Sequence, residues 1–445
     1  MNRFLNIRTI YDNLSERNLD KLSSVYGNRG RLDEIINDII NNAPQKVAVE
    51  NKKVLLKPNW VSHSLKAEDE LCLRTNDNFV LAVLRAVLRM GPSEVIVGDA
   101  PIQGCRWERM ITGSFMEGVS TLSAEFNVPV TIRDFRRRTY VFAENRAISE
   151  VRPLSEYVIF DLGVNSYLEP ITPGKETGFR VTNYDPDRMS EAHSRGIHKY
   201  CITKEMFEAD IIISLPKIKT HQKTGITGAL KNIVGINGDK DYLPHHRLGG
   251  VKRGGDCYPG GSRLRYWSEL ALDSANRRQG KHSFWLWQKL SSLFWILSFP
   301  GPEHSLAAGW YGNDTTWRMV KDLNTIAAYG TADGKLDSQP RRDIFSLCDA
   351  IIAGQGDGPL EPSPLPLGVI SFTNDSIVND RAMSVLLGIP FEKIPLLNNN
   401  SRESEITCGI TLNDEAIGLD ALWQYSLNAC PPKGWKSYLK NIRCE

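Results

Sequence analysis

The sequence contains no pair of cysteines spaced as C-x-x-C, although eight cysteines occur among its 445 residues. Zinc ribbons and ferredoxin-type iron–sulfur clusters carry such pairs, so no local motif for these cofactors is present. Widely separated cysteines are typical of free thiols in a reducing compartment, and a cytoplasmic protein is therefore expected. The cysteines are Cys72, Cys105, Cys201, Cys257, Cys348, Cys408, Cys430 and Cys444.

The chain also lacks an excess of one charge and a long apolar run. Its 54 basic and 52 acidic residues give a formal net charge of +2. Nucleic-acid-binding domains usually carry a basic excess, so no nucleic-acid partner is expected. No run reaches the roughly 20 apolar residues that span a bilayer. The N-terminal residues do not have the pattern of a secretory signal peptide. A composition of 41% hydrophobic and 24% charged residues is that of a globular protein.

Strand and helix patterns alternate along the chain. Residues 54–61 form an apolar, β-rich run, residues 79–90 have apolar side chains at helical spacing, and residues 93–101 form a second strand pattern. A strand–helix–strand unit of this length predicts parallel strands joined by a right-handed crossover. The fold class is therefore predicted to be α/β, with a parallel sheet in two α/β lobes. Further patterns predict a helical stretch over 106–126, strands at 128–135, 157–163, 209–217, 349–359 and 367–375, and then a helix with Asp380 near its start.

Two stretches interrupt this alternation and suggest a division of the chain. Residues 236–266 are rich in glycine, aspartate, histidine and arginine, and long irregular stretches of this kind are often functional lids. An aromatic segment follows them. The predicted parts are an N-terminal helical extension over 1–50, an α/β lobe over 51–235, a lid loop with an aromatic insert over 236–325, and a C-terminal α/β part over 326–445.

The segment LPKIKTHQKTGITGALKNIVG, residues 215–235, is the predicted functional site. Lysines supply positive charge, and hydroxyls and glycine-exposed backbone N–H groups supply hydrogen bonds to an anion. From Thr227 onward the sequence predicts a helix whose N-terminal N–H groups would face a phosphate or carboxylate. G-x-x-x-x-G-K-[ST] is absent, so the segment is not a Walker A motif. The alternative is a solvated lysine-rich face without a ligand.

Open parallel sheets bind ligands beyond the carboxyl ends of their strands. Four predicted strand ends are followed by polar or glycine-rich residues, namely Lys57-Pro58-Asn59, Gly98-Asp99, Pro216-Lys217 and Gly354 to Pro359. Asp99 and Asp380 have an alternative role as helix N-caps, which is favoured for Asp380. The predicted catalytic residues are His221, Lys217 and Asp99, with His221 kept neutral by neighbouring lysines. The predicted anion-binding residues are Lys57, Asn59, Lys219, Lys223, Thr224, Thr227, Lys231 and Asn232.

A metal site is an alternative interpretation of residues 236–266. His245 and His246 lie close in sequence to several aspartates, but adjacent histidines rarely share one ion and H-x-H spacing is missing. His245, His246 and Asp256 are retained as weak metal candidates. A polar lid that closes over a substrate is the favoured interpretation of this stretch. The cofactor is left open.

The aromatic insert, residues 284–299, contains Trp285, Trp287 and Trp295 among leucine and isoleucine residues. It is too short to cross a bilayer. Tryptophan-rich apolar segments lie at membrane interfaces, so contact with a membrane surface is one prediction. Burial in the core or in a dimer contact is the other.

The chain resembles the family known only as domain of unknown function 362. The resemblance extends from about residue 50 to 390 and implies a fold and a site, but no reaction. Some members carry a ferredoxin-like cluster module, and this chain lacks the cysteine run, so that redox association is not transferred. The layout is also faintly similar to that of lactate racemase and its relatives, which use a nickel-pincer nucleotide. The family resemblance is carried by Lys57-Pro58-Asn59, Gly98-Asp99-Ala100-Pro101, residues 215–235, GDGP at 356–359, and Asp380.

These observations predict first an enzyme that binds an anionic small molecule, a carboxylate or a phosphate, at residues 215–235, with His221 in acid–base chemistry. A second hypothesis is a metal- or nucleotide-cofactor enzyme of the racemase or epimerase type. A third is a non-catalytic partner of a membrane-surface or glycan-lipid assembly, docked through residues 284–299.

Overall fold

A large mixed β-sheet organises the computed structural model, which describes residues 3–11, 17–143, 146–172, 178–298, 308–398 and 408–440. The strands are β1 (Arg3–Thr9), β2 (Lys53–Pro58), β3 (Glu94–Asp99), β4 (Val130–Asp134), β5 (Arg138–Ala143), β6 (Arg146–Val151), β7 (Tyr157–Asp161), β8 (Phe179–Arg180), β9 (His193–Ser194), β10 (Ile197–Thr203), β11 (Ile211–Leu215), β12 (Lys217–His221), β13 (Gly225–Thr227), β14 (His246–Arg247), β15 (Asp343–Asp357), β16 (Glu361–Leu365), β17 (Val369–Thr373), β18 (Cys408–Leu412) and β19 (Glu415–Ala416).

Helices cover the sheet and connect its strands. They are α1 (Leu19–Gly27), α2 (Arg29–Asn41), α3 (Asp69–Cys72), α4 (Asp77–Arg89), α5 (Trp107–Met110), α6 (Gly113–Phe126), α7 (Pro186–Ala192), α8 (Glu205–Glu208), α9 (Ala229–Asn232), α10 (Arg263–Asn276), α11 (Ser283–Leu297), α12 (Thr316–Tyr329), α13 (Ser376–Leu386), α14 (Pro395–Asn398) and α15 (Lys436–Leu439).

The predicted α/β class is confirmed, and the sheet has a parallel half and a mixed half. Its order is β19-β18-β1-β17-β15-β11-β2-β3-β4. Strands β15, β11, β2, β3 and β4 run parallel to their neighbours in this series. Strand β17 is antiparallel to both β15 and β1, so the sheet is mixed. Because β11 pairs with both β2 and β15, one sheet joins strands from both predicted α/β parts.

The central strands are apolar almost throughout because both faces of the sheet are buried. Alternate side chains point to opposite faces of a strand. Thus Val54 and Leu56 of β2 pack in one hydrophobic core, and Leu55 packs in the other. The continuous apolar sequences of β2 and β11 are those expected of strands that are buried on both faces.

The predicted strand–helix–strand unit is present as β2, α4 and β3. Asn76 caps α4, and its side chain accepts a hydrogen bond from the N–H of Asn78. Gly91, directly after the C-cap, has a φ of +71°, which a glycine adopts without strain. The parallel pairing of β2 with β3 aligns the carboxyl ends of these two strands, where Lys57 and Asp99 lie.

The N-terminal part contains a strand that the sequence analysis did not predict. Helices α1 and α2 lie within the predicted helical extension, but β1 is inserted in the sheet between β17 and β18. Its side chains alternate between the two cores, with Phe4 in one and Leu5 in the other. Strand β7, which falls at the predicted strand over 157–163, belongs to a separate sheet with β9 and β10.

Much of the predicted lid segment is buried against the rest of the protein. The Asp239 carboxylate accepts a hydrogen bond from Arg137 at 2.7 Å, and that of Asp241 accepts one from Arg188 at 3.2 Å. The aromatic insert forms α11, which packs against α10 as a helical hairpin. Of the helices in the described ranges, not one combines the length and apolar character needed to cross a membrane.

Candidate anion-binding pocket

The ends of β2 and β3 are joined by a buried ion pair. Lys57 Nζ lies 2.8 Å from Asp99 Oδ1, and both side chains are almost inaccessible to solvent. Burial lowers the pKa of Lys57, and the Asp99 charge opposes that shift. Asp99 also accepts hydrogen bonds from the backbone N–H groups of Trp60 and Ala100, at 2.7 and 2.8 Å. Asp99 therefore supports the site by fixing Lys57 and the strand ends.

Asn232 holds three parts of the site together. Its Nδ2 donates to the Lys57 carbonyl at 3.0 Å and to Ser214 Oγ at 2.9 Å, and its Oδ1 accepts from Asn59 Nδ2 at 3.1 Å. Gly235 follows on the same segment and passes directly over the ion pair. A Cβ at Gly235 would lie 1.7 Å from Asp99 Oδ1, so this close approach requires glycine.

Lys219 extends from β12 toward the same strand ends. Its Nζ donates to Asn59 Oδ1 at 3.1 Å and to the Leu73 carbonyl. Burial lowers its pKa to about 7. Thr227 lies opposite Lys219 in the β12–β13 pairing, and its hydroxyl is buried without a hydrogen-bond partner in the described part of the chain. An unused buried hydroxyl next to an ammonium group is suited to a bound anion.

Three further lysines, Lys223, Lys231 and Lys240, are partly exposed and lie within electrostatic reach of one another. Lys240 Nζ donates to the Ala100 carbonyl at 2.9 Å. The amines of Lys223 and Lys231 have neither a hydrogen bond nor an ion pair to any described residue. Burial, then the charges of Lys240 and Lys223, lower the pKa of Lys231 to about 7. Burial lowers the pKa values of Lys223 and Lys240 to about 8.

We use the name lysine pocket for the group of four residues Lys219, Lys223, Lys231 and Lys240. Among the described residues, none of its four ammonium groups has a carboxylate partner within ion-pair distance, because Asp99 is engaged by Lys57. Burial lowers the pKa values of all four lysines, and neighbouring lysine charges lower those of Lys219 and Lys231 further.

Two histidines adjoin the lysine pocket in complementary tautomers. His221 Nδ1 accepts hydrogen bonds from the N–H groups of Lys223 and Thr224 at 3.0 and 3.2 Å, so the ring proton is on Nε2. His245 Nδ1 lies 2.7 Å from the Leu243 carbonyl, which can only accept, so the lone pair of His245 is on Nε2. Burial and the lysine charges hold both pKa values well below the usual range. The site thus offers a neutral donor and a neutral acceptor.

Lys217, a predicted catalytic residue, lies outside the lysine pocket. Its Nζ is completely buried, 3.0 Å from Asp349 Oδ2 and 3.0 Å from the Tyr26 hydroxyl. These partners come from distant parts of the chain and take two of the three N–H groups of the amine. Lys217 thus links β12 to β15 and α1, and a catalytic role for it stays a prediction.

The helix N-terminus predicted to receive a phosphate is occupied by a side chain of the protein. Asp380 accepts hydrogen bonds from the N–H groups of Ala229 and Leu230, at 2.6 and 3.0 Å. Gly228 leaves room for this carboxylate, since a Cβ there would lie 2.2 Å from it. Asp375, not Asp380, caps α13. The capping role predicted for Asp380 is real, but it serves a different helix.

The weak metal candidates do not converge. The charges of Lys223, Lys231 and Lys240 act on His245. His246 instead lies close to Cys257 and Glu269. Asp256 is used by the fold, because its Oδ2 accepts from the Thr315 hydroxyl at 2.6 Å and from the Asp314 N–H at 3.0 Å.

The sequence analysis missed Lys240, which stands between two aspartates and resembles a surface residue. Those aspartates pair with Arg137, Arg138 and Arg188, which leaves the lysine uncompensated. Thr224, which was predicted to bind the anion, instead donates its hydroxyl proton to the Ile226 carbonyl at 3.0 Å.

Comparison with known proteins places this segment in a family. The model of the family described as domain of unknown function (DUF362) matches residues 169–384. The match includes residues 215–235 and Asp380, and Lys57, Asn59 and Asp99 precede it. No curated protein matches the chain.

Two solved structures are similar to the chain at 10% sequence identity. One is a crystal structure of a protein from Thermotoga maritima, with a TM-score of 0.38 over 80% of this chain and 58% of that chain. The other is the lactate racemase apoprotein from Thermoanaerobacterium thermosaccharolyticum, with a TM-score of 0.31 over 78% of this chain and 52% of that chain. The chain covers less than two thirds of each of these two structures.

Proposed function

We propose that this protein is an enzyme that binds a small molecule carrying at least two negative charges, such as a phosphorylated or polycarboxylate compound, in the lysine pocket. The observation that carries the proposal is the set of four ammonium groups without a carboxylate partner in the described residues. Assembling them costs free energy that a bound anion would return, because opposite charge within a few ångströms favours the charged lysines.

The neighbouring histidines suggest acid–base chemistry on that molecule. His245 has a free Nε2 lone pair to accept a proton, and the Nε2–H of neutral His221 can donate a hydrogen bond to negative charge that develops on the substrate. Lys231, with a pKa of about 7, is present in both protonation states at neutral pH. Groups whose pKa values lie near the working pH are effective acids and bases. Lys57, Asn59 and Asn232 would hold the pocket walls in place.

Thermal-shift and calorimetric titration with inorganic pyrophosphate, inorganic phosphate and citrate would test the binding step. Pyrophosphate is expected to raise the melting temperature in a concentration-dependent manner. Lys231→Met should remove most of that shift. Lys252→Met is the matched control, because Lys252 is exposed in the same part of the chain. A wild-type protein that responds to none of the three anions would contradict the proposal.

Anion binding in this pocket should also take up protons. The bound charge would raise the lowered lysine pKa values, so amines that are partly neutral at pH 7.5 would become protonated. Titrations of pyrophosphate in two buffers of different ionisation enthalpy would measure this uptake. An enthalpy independent of the buffer would show that these lysines are not at the binding site.

Metal or nucleotide-cofactor chemistry of the racemase or epimerase type is the alternative for the same pocket. Mass spectrometry of the protein under native conditions, purified without chelators, would detect a tightly bound nucleotide by its added mass. A chromophoric nucleotide would also change the absorbance spectrum, and either finding would replace the simple acid–base enzyme.

We propose as a second function that the α10–α11 hairpin docks on an anionic membrane surface. Trp285, Leu286 and Ile296 are about two-thirds exposed, at 66%, 67% and 66%, and Trp267 on α10 is 49% exposed. Apolar patches of this kind mark interaction sites. Residues 274–298 include four basic and no acidic residues, which favours anionic lipid headgroups over a neutral partner.

Flotation with vesicles containing anionic or only zwitterionic lipid would test this docking. Binding is expected to the anionic vesicles and to be lost in Trp285→Ser with Ile296→Ser. Trp423→Ser, an exposed tryptophan elsewhere on the surface, is the control. If the wild-type protein does not float and sediments as a dimer that the double variant abolishes, the patch is a dimer contact.

A further inference from the structure

A second cluster of chemically reactive side chains lies beside the lysine pocket. His246 is in β14, Cys257 follows in the loop before α10, and Glu269 is in α10. One ligand atom from each of the three side chains lies within 4.8 Å of those of the other two. His246 and Cys257 are buried, with 4% and 6% of their surface exposed, and Glu269 is largely buried.

The cluster contains buried polar atoms that lack partners. The Cys257 thiol interacts with the Glu269 carboxylate, while His246 Nδ1 and Glu269 Oε1 are buried and have no close hydrogen-bond partner among the described residues. Such atoms are rare in folded proteins and point to a missing ligand or ion. His246 Nε2 lies 3.8 Å from Glu269 Oε1, which is too far for a hydrogen bond.

The backbone around Gly249 holds two of the three side chains in position. The Gly249 N–H donates to Glu269 Oε2 at 2.8 Å, and the Gly249 carbonyl accepts from the Cys257 N–H at 3.0 Å. His246 is held by the pairing of β14 with β8. Because the three residues come from a strand, a loop and a helix, the fold rather than a local motif brings them together.

We propose that His246, Cys257 and Glu269 bind one zinc ion. An imidazole nitrogen, a thiolate and a carboxylate form a mixed donor set that zinc accepts, at bond lengths of about 2.0–2.3 Å. Those lengths place tetrahedral ligands about 3.3–3.8 Å apart, so a small contraction of the cluster would complete the site. The thiolate and the carboxylate together balance the charge of the ion.

Three protein ligands leave a fourth position on zinc for water or a substrate atom. Lys223 connects the cluster to the lysine pocket, because its charge acts on both His246 and Cys257. An ion here would therefore lie at the edge of that pocket. The zinc site does not depend on the proposed anion, since its evidence is the geometry and the unpartnered atoms of the cluster itself.

Cobalt titration of the full chain, after removal of metals with a chelator, would test the site. Addition of Co²⁺ is expected to produce thiolate-to-cobalt charge-transfer absorbance that saturates near one ion per chain and disappears when Zn²⁺ is added. Cys257→Ser should abolish this absorbance. Cys430→Ser, which removes an exposed thiol elsewhere, should leave the titration unchanged.

Glu269→Gln provides a second variant if Cys257→Ser fails to fold, with circular dichroism as the check on folding. It should retain the thiolate absorbance but weaken metal binding by at least tenfold, because a neutral amide is a poor zinc ligand. Absence of stoichiometric Co²⁺ uptake by the wild-type chain, or identical uptake by folded Cys257→Ser, would overturn the proposal.

Discussion

The lysines around the candidate site differ in whether a carboxylate compensates their charge. Lys57 and Lys217 are completely buried and paired with Asp99 and Asp349. Lys223 and Lys231 are partly exposed and have no pairing partner in the described residues. A paired lysine in the interior contributes to the fold, whereas an unpaired one needs a charge from outside the protein. The contrast separates residues that build the site from residues that would meet a ligand.

The largest expected effect comes from breaking the Lys217 pair. Asp349→Asn leaves a buried ammonium group without its counter-charge, and removal of one partner of a buried pair costs about 3–5 kcal/mol. Urea unfolding would measure the loss. Replacing both partners with apolar residues, Lys217→Met with Asp349→Leu, should recover much of it. Equal losses of stability in the single and double variants would show that the missing counter-charge is not the cause of the destabilisation.

Asp99→Asn should cost less than Asp349→Asn, about 2–4 kcal/mol. Lys57 retains the Pro58 carbonyl and Asn232 as hydrogen-bond acceptors, which soften the loss of the charge. Removal of a negative charge from the pocket wall should strengthen pyrophosphate binding, as isothermal calorimetry would show. Weakened binding in the folded variant would mean that Asp99 contacts the ligand directly.

Lys231→Met should weaken anion binding without destabilising the fold. Charge-assisted hydrogen bonds contribute about 1.5–3 kcal/mol, so the affinity for pyrophosphate should fall by at least tenfold. The free energy of unfolding should not fall, because no ion pair is broken and a buried amine that is costly to protonate is removed. Urea unfolding and calorimetry on the same preparation would check both values. A large loss of stability would place Lys231 with the structural lysines.

The last prediction concerns the pH dependence of the stability of the unliganded protein. The folded-state pKa values of Lys219 and Lys231 are about 7, against 10.5 for the ordinary side chain. Between these values the unfolded chain binds more protons, so stability should rise from pH 7 toward pH 10. Melting temperatures in dilute buffer would follow the trend, and Lys231→Met should flatten it. The affinity for sulfate, which does not titrate in this range, should change in the opposite direction.

Much of the fold and part of the site were predictable because local sequence determines them. Apolar β-rich runs predicted β2, β3 and β11, and the helical spacing over 79–90 predicted α4, since both patterns reflect burial of a repeating face. The lysine-rich segment and the polar strand ends could also be recognised from the sequence. Strand β1 was missed because a short strand at the start of a chain has no flanking turn or helix to define it.

The roles of individual residues were less predictable. The sequence around Lys217 does not predict that Asp349 and Tyr26 are its partners. The sequence around Thr227 does not predict that Asp380 binds the N-terminus of the helix that follows. Cys257 and Glu269 carry no recognisable spacing relative to His246. In each case the partner is distant in the chain, and only the packing of the sheet and helices brings it within contact distance.

By itself, the sequence determined that the chain forms an α/β protein with apolar parallel strands and a lysine-, threonine- and glycine-rich segment after one of them. Periodicity and composition carry that information because burial of each element is a local property. Only the tertiary structure decided which lysines are neutralised by carboxylates and which remain without a partner in the described residues. Charge compensation depends on distances between atoms far apart in the chain, and those distances exist only once the chain has folded.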